Sequence, residues 1–271
     1  MNFFSVQRDI PGIDPIFLFD IAGFPIAAST VMIFLIILIF IVLAISVKRT
    51  FKLVPTKFQT AFEFLYEGMV DMIEEVTADT KRAQTIFPVI ASIFIYLLVA
   101  NLLGLVPGVS ELMLNGNQLF QTPTADFNTT FGLALGAIIV INIISIKEWG
   151  VVGFLEKFFK FRDVFKGFRK SMGDGAISLV DLFVGVLDIV GEIAKVISLS
   201  IRLFANMYAG QILMIILMGA FAYILPGVWY GMNIFVGALQ AMVFAVLVAA
   251  YYMLAINPAD AIEKEVEAQD L

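Results

Sequence analysis

Six polar residues interrupt an otherwise apolar stretch in the C-terminal half of the chain: Asp181, Asp188, Glu192, Lys195, Arg202 and Asn206. At 100° per residue they fall within an arc of about 80°, so a regular helix carries them as one polar stripe. Ionisable side chains are costly at the centre of a bilayer and mark ion pathways or proton relays there. Simpler readings stand beside that one. Lys195 can pair with Glu192, three residues back, or with Asp188, seven back, as a structural ion pair. Asp181 suits a solvated position near the cytoplasmic end of the helix. Two acids against one nearby lysine leave a carboxylate over, a candidate for ion access. Arg202 could snorkel to an interface, but apolar residues flank it on both sides. A guanidinium keeps its proton at any accessible pH. It therefore acts as a fixed charge, which discharges a carboxylate brought near it and blocks an ion leak. No carboxylate follows Arg202 in the remaining apolar stretch. Its acid partner is expected on its own stripe or on another chain.

The elements that position this stripe follow from composition. The 271 residues are 61% hydrophobic and 15% charged, with 27 Phe and no Cys or His. A soluble domain cannot hide that much apolar surface, so the class is an integral membrane protein. Without Cys or His, zinc, haem and iron–sulfur chemistry are not expected. Spanning helices need about 20 mostly apolar residues. The charge-free gaps place an external leader over 1–24, a membrane helix over 25–47, and a membrane hairpin over 84–106 and 128–147. An amphipathic surface helix is expected over 56–80, where Phe58, Phe62, Leu65, Met69, Met72 and Val76 step by four and three away from the acidic residues. A basic cytoplasmic loop over 148–175 interleaves Phe with Lys and Arg. Between two spans that pattern reads as lipid-headgroup contact rather than nucleic-acid binding. A steeply tilted helical hairpin over 176–256 and a cytoplasmic tail over 257–271 complete the layout. Its first helix is expected from about 176 to 224 and its second from about 229 to 256, with the break at LPGVWYG. The fold class is thus all-α, with about five membrane-embedded helices. All Lys and Arg except Arg8, Lys195 and Arg202 fall on one face if the spans alternate. That face is cytoplasmic by the positive-inside rule, which leaves the N-terminus outside and the C-terminus inside.

Three motifs carry a resemblance. SLSIRLFANMYAGQ at 198–211 with LGALQAMVF in the last helix, NLLGLVPG at 101–108, and PTADFNTTFGLAL at 123–135 together resemble subunit a of the bacterial F-type rotary ATP synthases over essentially the whole chain. The resemblance implies a stator subunit of the plasma membrane whose tilted hairpin lies against a rotating ring of c subunits. It further implies a b-subunit peripheral stalk, other synthase subunits and the lipid bilayer as partners, and no nucleic acid. Two aqueous half-channels would carry protons to and from a ring carboxylate. Arg202 matches the family's essential arginine between them, Asn206 and Gln240 match flanking polar residues, and Asp188 matches an acidic position of the long helix. Many relatives carry an ionisable Glu/His pair where this chain has Gln211 and Asn233. Glu192, with Asp188 second, is the expected replacement, and Gln211 and Asn233 are expected to hold water. Protons are the favoured ion, with a Na⁺-translocating version of the subunit as the alternative. An unrelated secondary transporter would show repeated halves with interrupted helices, and none is visible. No P-loop pattern occurs, so the chain is expected to be a non-catalytic channel component that needs no cofactor.

Overall fold

The structure is a computed structural model that describes residues 15–21, 23–50, 52, 55–106, 108–109, 112–114, 117–158, 172–220 and 224–256. The first part of the expected leader, the core of the basic loop and the C-terminal tail lie outside the described residues.

The first long helix, α1 (Ala28–Thr50), is an unbroken apolar run that ends on Lys48 and Arg49. Cations there suit the negative end of the helix dipole. A short hairpin precedes it, with β1 (Phe17–Ile21) antiparallel to β2 (Phe24–Ala27). Gly23 makes the turn at φ +86°, a conformation that carries no steric penalty without a Cβ. The second helix, α2 (Lys57–Thr77), starts where the Thr56 hydroxyl accepts the Gln59 N–H at 3.3 Å. Left-handed Ala78 ends it, and Asp79 then caps α3 (Thr80–Leu105) by accepting the Lys81 and Arg82 N–H groups. Met69, Ile73 and Thr77 on α2 are buried, and Tyr66 meets Phe87 of α3 edge-on. Part of the amphipathic helix's apolar side is therefore covered by protein.

Two-residue strands β3 (Met113–Leu114) and β4 (Asn117–Gln118) pair in the following loop, which ends in a 3-10 turn at Pro123–Ala125. Helix α4 (Phe127–Phe158) is interrupted at Gly150, where φ 74° and ψ 164° leave helical geometry. Helix α5 (Met172–Ala220) runs for 49 residues. At 1.5 Å per residue that is about 74 Å, against a hydrocarbon layer of roughly 30 Å. Helix α6 spans Ile224–Ile256. It starts earlier than the sequence predicts, because Pro226 is accommodated in a first helical turn, where backbone N–H groups have no intrahelical acceptor. Among the described residues, four helices are long and apolar enough to cross a membrane: Ala28–Arg49, Thr80–Leu105, Phe127–Val151 and Leu225–Ile256. The molecule is an all-α integral membrane protein with two small hairpins added.

The chain divides into two compact units. The first comprises residues 1–132 and 200–246. Its core sets Met32, Ile36 and Ala100 against Leu35, Tyr96 and Leu103. Fully buried Asn101 of α3 accepts the Thr124 hydroxyl at 2.7 Å and donates to the Gly237 carbonyl of α6 at 2.9 Å. The second unit comprises 133–199 and 247–271. It buries Ala137 and Ile141 of α4, Val196 of α5, and Val248 and Tyr252 of α6. There Ser145 donates to the Ala255 carbonyl at 3.0 Å, and Tyr252 donates to Glu148 at 3.4 Å.

Candidate functional site

In the first unit, the buried positions of α5 are Ser200, Leu203 and Met207, spaced three and four apart. That spacing faces one side of the helix to the core. Arg202 lies about 100° round from Leu203. Half-buried Arg202 shares its side of the helix with exposed Ala205, Asn206 and Ala209. Among the described residues the Arg202 guanidinium has no hydrogen bond and no ion pair. Two alanines beside it leave the helix surface flat, so another helix could approach closely. Asn206 is turned to the α6 seam, where its Nδ2 donates to Gln240 Oε1 at 2.6 Å. Gln240 is only 5% exposed, and its own Nε2 is buried with no acceptor. A buried, unmet donor costs about 1–3 kcal/mol. The site holds hydrogen-bonding capacity in reserve.

Gln211 and Asn233 meet in the same unit. With Leu105, Asn206, Met207, Gly210 and Val236 they line a small crevice between α3, α5 and α6. Gln211 Nε2 donates to the Thr122 hydroxyl at 3.1 Å. The Gly210 carbonyl accepts Trp229 Nε1 at 3.1 Å and Asn233 Nδ2 at 3.4 Å. A Cβ at Gly210 would stand 2.9 Å from Asn233 Oδ1, so the Asn233 amide would have to give way. The same close fit recurs at Gly104, where a Cβ would stand 2.1 Å from the Thr122 hydroxyl oxygen. Thr122 is thus pressed against α3 while it holds Gln211. The crevice is walled chiefly by Leu105, Met207 and Val236, with the amides of Asn206, Gln211 and Asn233 at its edge and no titratable group among its lining residues.

Asp126, at the start of α4, is the buried carboxylate of this unit that sequence reasoning did not single out. It is 4% exposed and accepts from the Ser29 hydroxyl at 2.6 Å, the Asn128 N–H at 3.0 Å and the Thr129 hydroxyl at 3.3 Å. The signal was present: an Asp followed by FNTT opening an apolar helix is an N-cap pattern. Thr122 has no comparable periodic signal, because it sits in a loop.

In the second unit, Lys195 Nζ lies 2.8 Å from Glu192 Oε1, both side chains being less than one-fifth exposed. The ammonium also sits 5.5 Å from the centre of the Tyr251 ring. Asp188 is exposed, and among the described residues its carboxylate has no partner. Glu192 is therefore the committed acid and Asp188 the uncommitted one. Asp181 is on α5, but its side chain lies outside the described residues.

These features define an all-helical membrane protein in which Arg202 has no partner among the described residues and shares a helix side with exposed Ala205, Asn206 and Ala209, near a small crevice at Gln211 and Asn233. A family model described as ATP synthase A chain matches residues 28–253. ATP synthase subunit a of Desulforamulus reducens is 34% identical over 205 residues, covering 73% of this chain and 66% of the relative. The Citrifermentans bemidjiense subunit a is 28% identical over 225 residues, covering 83% of this chain and 86% of its own. A Pelobacter propionicus protein named ATP synthase subunit a 1 is 29% identical over 230 residues, covering 85% and 86%. The chain belongs to the ATP synthase subunit a family. That family supplies the ion-conducting subunit of the synthase membrane sector, which functions in assembly with other subunits.

Proposed function

We propose that this chain is the stator subunit that conducts protons to and from a rotating c-ring, with Arg202 as the electrostatic barrier between two half-channels. The observation that carries the reading is the Arg202 guanidinium, which has no partner among the described residues and lies on the same helix side as exposed Ala205 and Ala209. A charge left without a partner inside one chain calls for one on another, and a ring carboxylate has the matching sign. Ala205 and Ala209 allow the close approach. The unmet Gln240 donor beside Asn206 supplies a contact for water or for that carboxylate.

The outer entrance in this reading is the crevice at Gln211 and Asn233, where amides hold water. Its titratable group is Asp126, linked through the 3-10 turn to Thr122 and so to Gln211. The inner path is served by uncommitted Asp188, with the Glu192–Lys195 pair beside it and Asp181 toward the cytoplasm. The expected layout accompanies the proposal: leader outside, α2 at the inner surface, residues 148–175 and the tail in the cytoplasm, and α5 with α6 as the tilted hairpin. A peripheral stalk of b subunits holds the chain against rotation, in a bacterial plasma membrane. Since moving one charge through 100 mV is worth roughly 2.3 kcal/mol, several protons must cross for each ATP.

The deciding experiment reconstitutes the complete complex with Arg202→Ala and measures ATP-driven proton uptake into vesicles. Uptake is expected to fall to background while ATP hydrolysis by the complex continues. Full pumping by the variant would remove Arg202 from the mechanism. Repeating ATP synthesis by the unaltered complex under imposed H⁺ and Na⁺ gradients identifies the ion, with activity expected under the H⁺ gradient alone.

A further inference from the structure

We infer that Tyr251 of α6 is a positioning residue for the inner path: its ring holds the Lys195 ammonium beside Glu192 and thereby leaves Asp188 without a counter-charge. The inference rests on the assignment of Asp188 to that path.

Lys195 is faced by two carboxylates of its own helix, Glu192 one turn back and Asp188 two turns back. A long, flexible side chain can serve either, because residues seven apart share a helix face and a lysine on α5 leans toward the N-terminal turns. In the structure it serves Glu192 at 2.8 Å, with the Tyr251 ring 5.5 Å from the ammonium. An ammonium within about 6 Å of an aromatic face is drawn to its negative quadrupole. Two attractions thus fix the direction of the side chain. From α4, Glu148 reaches α6, but it accepts from the Tyr252 hydroxyl on the adjacent residue. The Tyr251–Tyr252 pair therefore engages the charged groups of two different helices, one residue for each. With its ammonium held, Lys195 leaves Asp188 exposed and without an ion pair among the described residues. Released, it is free to swing to Asp188 and pair with that carboxylate instead.

The test uses the complete complex reconstituted into vesicles, with ATP-driven proton pumping measured across a pH series. Tyr251→Leu is expected to move the acidic half-maximum of pumping down by roughly one pH unit, the size of effect a neighbouring cation has on a carboxylate. Tyr251→Met fills similar space without a π face and is expected to act alike, which guards against a packing defect peculiar to leucine. Tyr251→Phe keeps the ring and should retain the original profile. In an Asp188→Asn background, Tyr251→Leu should cause no further shift. An unshifted profile in both Tyr251→Leu and Tyr251→Met overturns the inference, as does a shift in Tyr251→Phe equal to theirs. If Asp188→Asn by itself leaves the profile unchanged, the assignment of Asp188 to the inner path fails instead.

Discussion

Arg202 shows how much one residue's meaning depends on its neighbours. A guanidinium buried against a carboxylate of its own chain would be structural, and removing either partner would chiefly destabilise the fold. Here the guanidinium is half-buried and has no partner among the described residues, so its substitution should cost function far more than stability. Asp126 presents the opposite case. Its carboxylate caps α4 and accepts from Ser29 across to α1, so alanine there would mix two effects. Asparagine caps helices as well as aspartate does but cannot release a proton. Asp126→Asn is therefore expected to keep thermal stability within about 1 kcal/mol of the parent while slowing passive proton conduction by the membrane sector several-fold. Unaltered conduction would return Asp126 to a purely structural role.

At the scale of elements, the site depends on backbones coming close enough for short polar side chains to meet. Thr122 meets Gln211 because Gly104 of α3 has no side chain, and Asn233 reaches the Gly210 carbonyl for the same reason. In Gly104→Ala the added methyl would lie 2.1 Å from the Thr122 hydroxyl oxygen, so Thr122 or α3 must shift. The expected cost is about 1–3 kcal/mol, as for other overpacked sites, read as a lower unfolding midpoint of the detergent-solubilised complex. Pumping should fall with it, because Gln211 loses its partner. A variant of wild-type stability would show that Thr122 has room to move. The long α5 follows from simpler causes. Its sequence lacks an internal proline, and helix propagation costs little once begun.

For the whole molecule, membership of the subunit a family and four membrane-length helices leave orientation to be tested. The chain has no cysteine, so single-cysteine variants give an unambiguous label. Met113→Cys, on the exposed β3–β4 hairpin, is expected to react with an impermeant maleimide from the outside of intact cells. Lys147→Cys, exposed near the inner end of α4, should react only in inverted vesicles. The reverse pattern would invert the topology and, with it, the assignment of entrance and exit.

Membrane class and the all-α architecture were readable along the chain, because each rests on local periodicity and on the cost of placing charge in hydrocarbon. Arg202 and the departures at Gln211 and Asn233 were likewise visible as residue types at fixed spacing. Pairing was not. Two acids lay on the same helix face as one lysine, and the structure pairs Lys195 with Glu192 at 2.8 Å, with the Tyr251 ring from another helix 5.5 Å from the ammonium. Thr122 and Asp126 joined the candidate site for a similar reason: loop residues have no period to read, and their partners Gln211 and Ser29 are brought to them by packing between elements far apart in the chain.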